Sequence, residues 1–261
     1  MMLILDIGNS NIKAAIFDGE KLIEHFRYPV RSPDDSDSTL RAADVSGFFA
    51  ELKANRAVRN RQPGAIAVSS VVPDLEPACR KASQESFNLQ PWFLDYQANL
   101  GMKILVERPE QVGVDRLAGA LAAKTRFGAP VIVVDMGTAT TFNVVDWDGN
   151  FAGGVIAPGV ATSASTLFKK AAKLFPVHIE EPQRCLGKNT AESLQAGIFY
   201  GAISQIDGIL TRLLVEIGVQ DLPVVATGGL AGILAPYARY IRHINHFLNL
   251  EGVKLAYEMA G

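Results

Sequence analysis

One short pattern occurs twice in this chain, half its length apart, and it limits the available folds more than any other feature. Near the start, Leu3-Ile4-Leu5-Asp6-Ile7-Gly8 is an apolar run ending in Asp-x-Gly; Asn9-Ser10-Asn11-Ile12-Lys13 follow, then a second apolar run, Ala14 to Phe17, closed by Asp18-Gly19. At the midpoint, Ile132-Val133-Val134-Asp135-Met136-Gly137 repeats the pattern before Thr138-Ala139-Thr140-Thr141. A second run, Phe142 to Val145, and a closing Asp148-Gly149 complete that copy. Each copy reads as two strands joined by a tight polar turn, where glycine permits backbone conformations closed to other residues. Asp-Gly after the second strand marks a further hairpin turn. Such a turn presents N–H groups and hydroxyls to phosphates, and a carboxylate at the strand end can hold a cation. Two buried strands with plain turns account for either copy alone. A duplication at half-length spacing favours the phosphate reading.

The rest of the first half fits an α/β domain. Lys21 to Val30 reads as a third strand, Arg31 to Ser38 as a polar loop rich in Pro and Asp, and Ala42 to Val58 as a helix. Ala65 to Val72 reads as a buried strand, and Pro73 suits the first turn of a helix ending near Phe87. Trp92 to Asp95 and Met102 to Val106 are short strand candidates. The basic cluster Lys53, Arg56, Arg59 and Arg61 reads as a solvated helix face. Lys plus Arg (25) against Asp plus Glu (27) leaves a net charge of −2, so no basic field supports nucleic-acid binding.

The middle segment Glu107-Arg108-Pro109-Glu110-Gln111-Val112-Gly113-Val114-Asp115-Arg116 precedes a helix from Leu117 to Phe127, closed by Gly128. Asp115 therefore sits at or just inside a helix N-terminus, where an acid is an ordinary cap. Arg116 and Gly113 add a second possibility, a ligand approaching the backbone beside an acid–cation pair. In the second half, Gly153-Gly154-Val155-Ile156-Ala157-Pro158-Gly159 leads into a helix from about Val160 to Lys173. A loop over 182–189 precedes a long helix from Thr190 to about Ile217, whose N-terminal donors suit an anion. Thr227-Gly228-Gly229-Leu230 ends a buried strand; it serves either a flat ligand such as a nucleobase or ribose, or a plain strand-to-helix turn. His243 and His246 have no third ligand candidate and read as surface or packing residues. The C-terminal helix, near Leu250 to Met259, has the option of crossing back onto the first lobe.

Apolar residues at 48% and charged residues at 20% match a globular chain rather than a disordered one. Cys79 and Cys185 lie far apart, which argues against a disulfide scaffold or thiolate metal site and for a reducing cytoplasm. No apolar stretch approaches the roughly 20 residues of a membrane span, and no signal peptide opens the sequence. The expectation is a soluble intracellular protein with no nucleic-acid or membrane partner.

Two D-x-G hairpins followed near the end by T-G-G resemble the actin, hexokinase and heat-shock ATPase superfamily. Within it, the chain resembles the type III pantothenate kinases. The matching pieces are Asp6 to Lys13, Ser69-Ser70-Val71-Val72-Pro73, Pro109 to Arg116, Asp135 to Thr141, Gly153 to Gly159, Gly187-Lys188-Asn189-Thr190 with Ser193, and Thr227 to Leu230. They keep the family's order over essentially the whole chain.

The resemblance implies an α/β fold of two duplicated ribonuclease-H-like domains, each with a mixed five-stranded sheet, and an interdomain ATP cleft. The expected boundaries are 1–116, with the first phosphate loop, and 117–261, with the second phosphate loop and a dimer interface. It also implies phosphorylation of pantothenate by ATP, the first step toward coenzyme A, with Mg2+ and a monovalent cation (potassium or ammonium). On that pattern Asp6, Gly8, Asn9, Ser10, Asn11 and Lys13 bind the ATP phosphates, Thr138 and Gly228 contact the nucleotide, and Asp135 holds the monovalent cation. Asp115 corresponds to the general base, with Gly113, Val114, Arg116 and Thr190 in the pantothenate pocket. The family implies a homodimer. Ser10 replaces the family's usual Thr and keeps its hydroxyl, whereas Val106 stands where many members carry a pantothenate-contacting Tyr; Tyr96 is one possible substitute. Two alternatives stand beside this reading: a kinase for another small alcohol, and a catalytically degenerate regulatory or accessory relative. Retention of Asp6, Lys13, Asp115, Arg116 and Asp135 argues against the second.

Overall fold

The computed structural model describes residues 1–29, 42–60 and 62–261. The polar loop read over 31–38, Val30 at the end of the third strand, and Arg61 of the basic cluster lie outside the described residues. The chain forms two compact units: the first holds Met1–Met102, Glu107–Ala122 and Leu248–Gly261, the second Lys103–Val106 and Ala123–Phe247.

In the first unit, β1 (Met2–Ile7), β2 (Asn11–Asp18) and β3 (Lys21–Pro29) form an antiparallel meander. Two helices follow, α1 (Ala42–Ala54) and α2 (Arg56–Asn60), before β4 (Ala65–Ser70), α3 (Glu76–Phe87) and β5 (Trp92–Phe93). The sheet order is β3-β2-β1-β4-β5, with β4 parallel to β1 and β5 parallel to β4. Where one helix was expected over Ala42–Val58, there are two. Asn55 interrupts them because its side chain accepts the Ala57 N–H (2.8 Å), starting α2 afresh.

Helix α4 (Val114–Phe127) begins three residues earlier than its apolar pattern indicated, and Gly128 closes it at φ +81°. The second unit then repeats the first: β6 (Val131–Met136), β7 (Ala139–Val145) and β8 (Phe151–Pro158), helices α5 (Val160–Lys170) and α6 (Thr190–Ile217), then β9 (Val224–Thr227), α7 (Ala231–Leu234) and β10 (His243–Ile244). Its sheet order, β10-β9-β6-β7-β8, is the first sheet's order with the same strand directions. The copies match in detail. The meander register shifts at Ile16/Phe17 in one and at Val144/Val145 in the other. Val71 N–H bonds the Ile7 carbonyl (3.1 Å) as Leu230 N–H bonds the Met136 carbonyl (3.3 Å).

The final helix, α8 (Leu248–Ala260), belongs to the first unit and packs on β1 and β4, whereas a single cut at residue 116/117 places it in the second half. Each sheet buries an apolar face. Leu3, Leu5 and Ile7 pack against Phe48, Phe49 and Leu52 of α1. Val134, Met136 and Phe142 pack against Phe199, Ile206 and Leu210 of α6. Each such fully buried side chain contributes about 1.5–3 kcal/mol. Helix α6 is long and apolar enough to span a bilayer, contrary to the reading of the sequence. The side carrying Phe199, Ile206 and Leu210 is, however, spent on the second core. Residues 102–106 form no strand and contribute one bridge, Ile104 to Phe151.

Candidate active site

In the first unit, β1 ends at a cluster built by strand register. Asp6 lies opposite Lys13 across the antiparallel pair and opposite Ser69 across the parallel pair. The Ser69 hydroxyl donates to Asp6 Oδ1 (2.8 Å), and Lys13 Nζ lies 3.6 Å from Oδ2. Asp6 is 6% exposed and Ser69 0%. Burying a carboxylate costs less when it is paired and hydrogen-bonded, and these two residues supply both conditions. The loop Gly8-Asn9-Ser10 closes with Gly8 N–H on the Asn11 carbonyl (3.0 Å), and Asn11 Oδ1 accepts from Arg27 Nε (3.2 Å).

The loop that leads into Asp115 rests just after β4. A Cβ on Gly113 would lie 3.6 Å from Val71 Cγ1, so the loop before α4 rests on the residue that follows β4. That Cβ would also lie 2.5 Å from Asp115 Oδ1, so only glycine leaves room for the carboxylate there. Asp115 Oδ1 accepts the Arg116 N–H (2.8 Å), within the first turn of α4. Arg116 is half-buried, and burial pulls its guanidinium pKa down while the Asp115 charge pushes it back up. The structure thus pairs Asp6 with Lys13 and Ser69, and sets the loop that leads into Asp115 and Arg116 against Val71, just after β4.

In the second unit the turn is one residue shorter: Gly137 N–H bonds the Ala139 carbonyl (3.0 Å). The register consequently places Thr141, not a lysine, opposite Asp135, and Thr227 opposite it on the parallel side. Gly228, at φ +94°, packs so closely that a Cβ would lie 2.5 Å from Asp135 Oδ1 and 2.7 Å from Met136 backbone atoms. That approach explains the glycine without any nucleotide. Thr138 is exposed, and its carbonyl accepts from the Thr162 hydroxyl (2.8 Å) and Gly159 N–H (3.2 Å).

Thr190 is exposed at the start of α6. The anion reading of that terminus meets a competitor: Asn189 Oδ1 accepts the Glu192 N–H (2.9 Å), and Glu192 Oε2 accepts the Lys188 N–H (2.9 Å). The bond from Lys188, then the Arg184 charge and the Asn189 amide, hold the Glu192 carboxyl below its usual range. The helix brings its own carboxylate to its N-terminus. Val106 packs beside Gly153, and the Tyr96 hydroxyl accepts from the Gln97 amide (3.0 Å).

The type III pantothenate kinase family model matches residues 2–212. The chain belongs to that family. A type III pantothenate kinase from Myxococcus xanthus is 39% identical over 258 residues, covering 98% of each chain. Another, from Geotalea daltonii, is 40% identical over 259 residues, covering 99% of this chain and 98% of that one. A solved structure from Campylobacter jejuni, described as a Baf family transcriptional activator, superposes with a TM-score of 0.57 at 20% identity. It covers 98% of this chain and 97% of that one. That likeness speaks for the fold alone.

Among the described residues no group of three or more His, Cys, Asp or Glu side chains could hold a metal ion. A single carboxylate such as Asp6 suits Mg2+ that is carried on nucleotide phosphates and keeps most of its waters.

Sequence reading missed Ser69's link to Asp6 and Thr162's link to Thr138. The partner of Ser69 is set by a parallel pairing that no local pattern announces.

Proposed function

We propose that the chain transfers the γ-phosphoryl group of ATP to the primary hydroxyl of pantothenate, giving 4'-phosphopantothenate in the first step of coenzyme A biosynthesis. The observation that carries this reading is the Asp6–Lys13–Ser69 cluster at the end of β1, with the loop that leads into Asp115 resting on Val71 just after β4, in a chain that matches a family member over 98% of its length. An acid poised at a helix start beside a phosphate loop is what transfer to an alcohol requires.

Phosphoryl transfer depends on in-line positioning and charge neutralisation more than on covalent participation. Gly8, Asn9, Ser10 and Asn11 face the ATP phosphates with backbone N–H groups and hydroxyl or amide side chains, and Lys13 neutralises charge there. Thr138 and Gly228 contact the same nucleotide from the second loop. Asp115 accepts the proton from the pantothenate hydroxyl late in the transfer, held in place by the Arg116 N–H. Gly113, Val114, Arg116 and Thr190 line the pantothenate site, where Arg116 supplies a cation for the substrate carboxylate. Asp6 is the protein partner of hydrated Mg2+, which when bound spreads the developing charge on the phosphate oxygens. Asp135 is the ligand for potassium or ammonium. The working form is a cytoplasmic homodimer.

The test is ADP release by the purified chain with ATP, Mg2+ and potassium, with and without pantothenate. Release that depends on pantothenate, accompanied by a phosphorylated product, supports the reading. Release that ignores pantothenate, or that responds better to a sugar, overturns it.

A further inference from the structure

We propose that Ser69 is a positioning residue for Asp6: its hydroxyl fixes the carboxylate so that Asp6 meets the nucleotide-bound Mg2+ instead of folding onto Lys13. This rests on the kinase reading above and concerns a residue outside the phosphate loop.

Ser69 and Ser70 are adjacent, yet the structure gives them different work. The Ser70 hydroxyl bonds locally, donating to the Val72 carbonyl and accepting the Val72 N–H, both at 3.2 Å. Ser69 is fully buried and bonds 63 residues away, donating to Asp6 Oδ1 at 2.8 Å. Parallel register sets the pair, Asp6 facing Ser69 across β1 and β4. The second unit puts a buried hydroxyl residue, Thr227, in the same register against Asp135. A hydroxyl beside the strand-end aspartate is therefore part of the duplicated design.

The terminal torsion of an aspartate is broad and nearly two-fold, so its backbone alone does not determine where each oxygen points. A charge-assisted hydrogen bond on Oδ1 removes that freedom. Lys13 Nζ forms an ion pair with Oδ2 at 3.6 Å, longer than a hydrogen bond, while Ser69 holds the other oxygen. Without the hydroxyl, the carboxylate can turn and close on the ammonium. Both charges would then be spent on each other, one withdrawn from the metal and one from the phosphates.

The experiment compares the full chain with Ser69→Ala and Ser69→Thr by two readouts. The first is ADP affinity with Mg2+ and with EDTA, measured by calorimetry. The second is the Mg2+ dependence of kcat with pantothenate. Loss of a partner that orients a metal-directed ligand costs about 10–100-fold in metal affinity or activity. Ser69→Ala is expected to lose the Mg2+-dependent gain in ADP affinity by that factor while metal-free ADP binding stays as in the parent. Its half-saturating Mg2+ should rise in step. Ser69→Thr, which keeps the hydroxyl on a strand, should restore both. If Ser69→Ala does not fold, Ser69→Cys, a near-isosteric weak donor, carries the same comparison. A purely structural serine would lower Tm and leave the Mg2+ response unchanged, and that result overturns the proposal. If the parent makes no phosphopantothenate, the kinase reading fails; an active parent with a Mg2+-indifferent Ser69→Ala defeats this inference alone.

Discussion

Replacing Asp115 by Asn isolates the proton-accepting role from every other role of that side chain. Asn keeps the shape and an Oδ1 able to accept the Arg116 N–H that Asp115 accepts at 2.8 Å. It also fits over the Gly113 Cα, where a Cβ would come within 2.5 Å of Oδ1. The start of α4 should therefore stay docked, apart from a few tenths of a kcal/mol for the lost charge near the helix N-terminus. What disappears is the basic carboxylate. General-base assistance is worth about 10²–10⁴-fold, equivalent to about 2.7–5.5 kcal/mol at 1.36 kcal/mol per tenfold. A coupled assay of ADP release gives kcat, calorimetry gives ADP affinity, and a thermal melt checks folding. The expected outcome is a kcat loss in that range with ADP affinity unchanged. Arg116, which loses the charge that opposes its pKa depression by burial, should weaken pantothenate binding only modestly. Near-parental kcat in a folded Asp115→Asn protein would refute the base assignment.

Gly228→Ala forces a Cβ to within 2.5 Å of Asp135 Oδ1 at φ +94°, so it should cost about 1–3 kcal/mol of stability from backbone strain alone, read from chemical denaturation. It should also weaken activation by potassium, because the displaced group is the carboxylate assigned to that ion. Exchanging potassium for sodium should suppress the parent's rate, and equal rates in the two salts would remove the monovalent-cation role of Asp135. Lys254 is 3% exposed and donates to Glu20 (2.7 Å) and Glu258 (2.8 Å), whose side chains are 88% and 41% exposed. Lys254→Met strands no buried charge and should change stability by no more than about 1 kcal/mol, whereas Glu20→Gln with Glu258→Gln removes both countercharges, themselves solvent-exposed, and should cost about 1–3 kcal/mol. Burial pulls the Lys254 pKa down, but the bonds to Glu20 and Glu258 outweigh it and the net shift is upward. The pair's contribution is therefore fully present below the unfolded-chain value of about 10.4 and is lost as pH climbs through the raised folded value. Denaturation midpoints of parent and Lys254→Met should converge in that alkaline range.

The duplication was legible because a strand–turn–strand writes itself in consecutive letters, and Asp6, Lys13 and Asp135 all lie within those letters. Asp115 was legible as an acid at a helix start, although the helix begins earlier than its apolar residues indicated. What was not legible depends on contacts between distant segments. Ser69 meets Asp6 only through parallel register. Helix α8 returns to the first unit through Gly252, whose Cα rests on the Ala118 backbone, and through Lys254, a residue type that on an amphipathic helix reads as surface. Asn189-x-x-Glu192 shows the opposite case: the letters of a capping box were present, yet the helix start was read as an anion site.

The most direct measurement is a crystal structure of the chain with a non-hydrolysable ATP analogue, Mg2+, potassium and pantothenate. The account predicts the phosphate tail against the 8–11 loop and Thr138, with the primary hydroxyl of pantothenate within about 3.2 Å of an Asp115 oxygen. A phosphate tail bound away from Asp6 and Lys13, or a hydroxyl out of Asp115's reach with the reacting atoms in line, would contradict it.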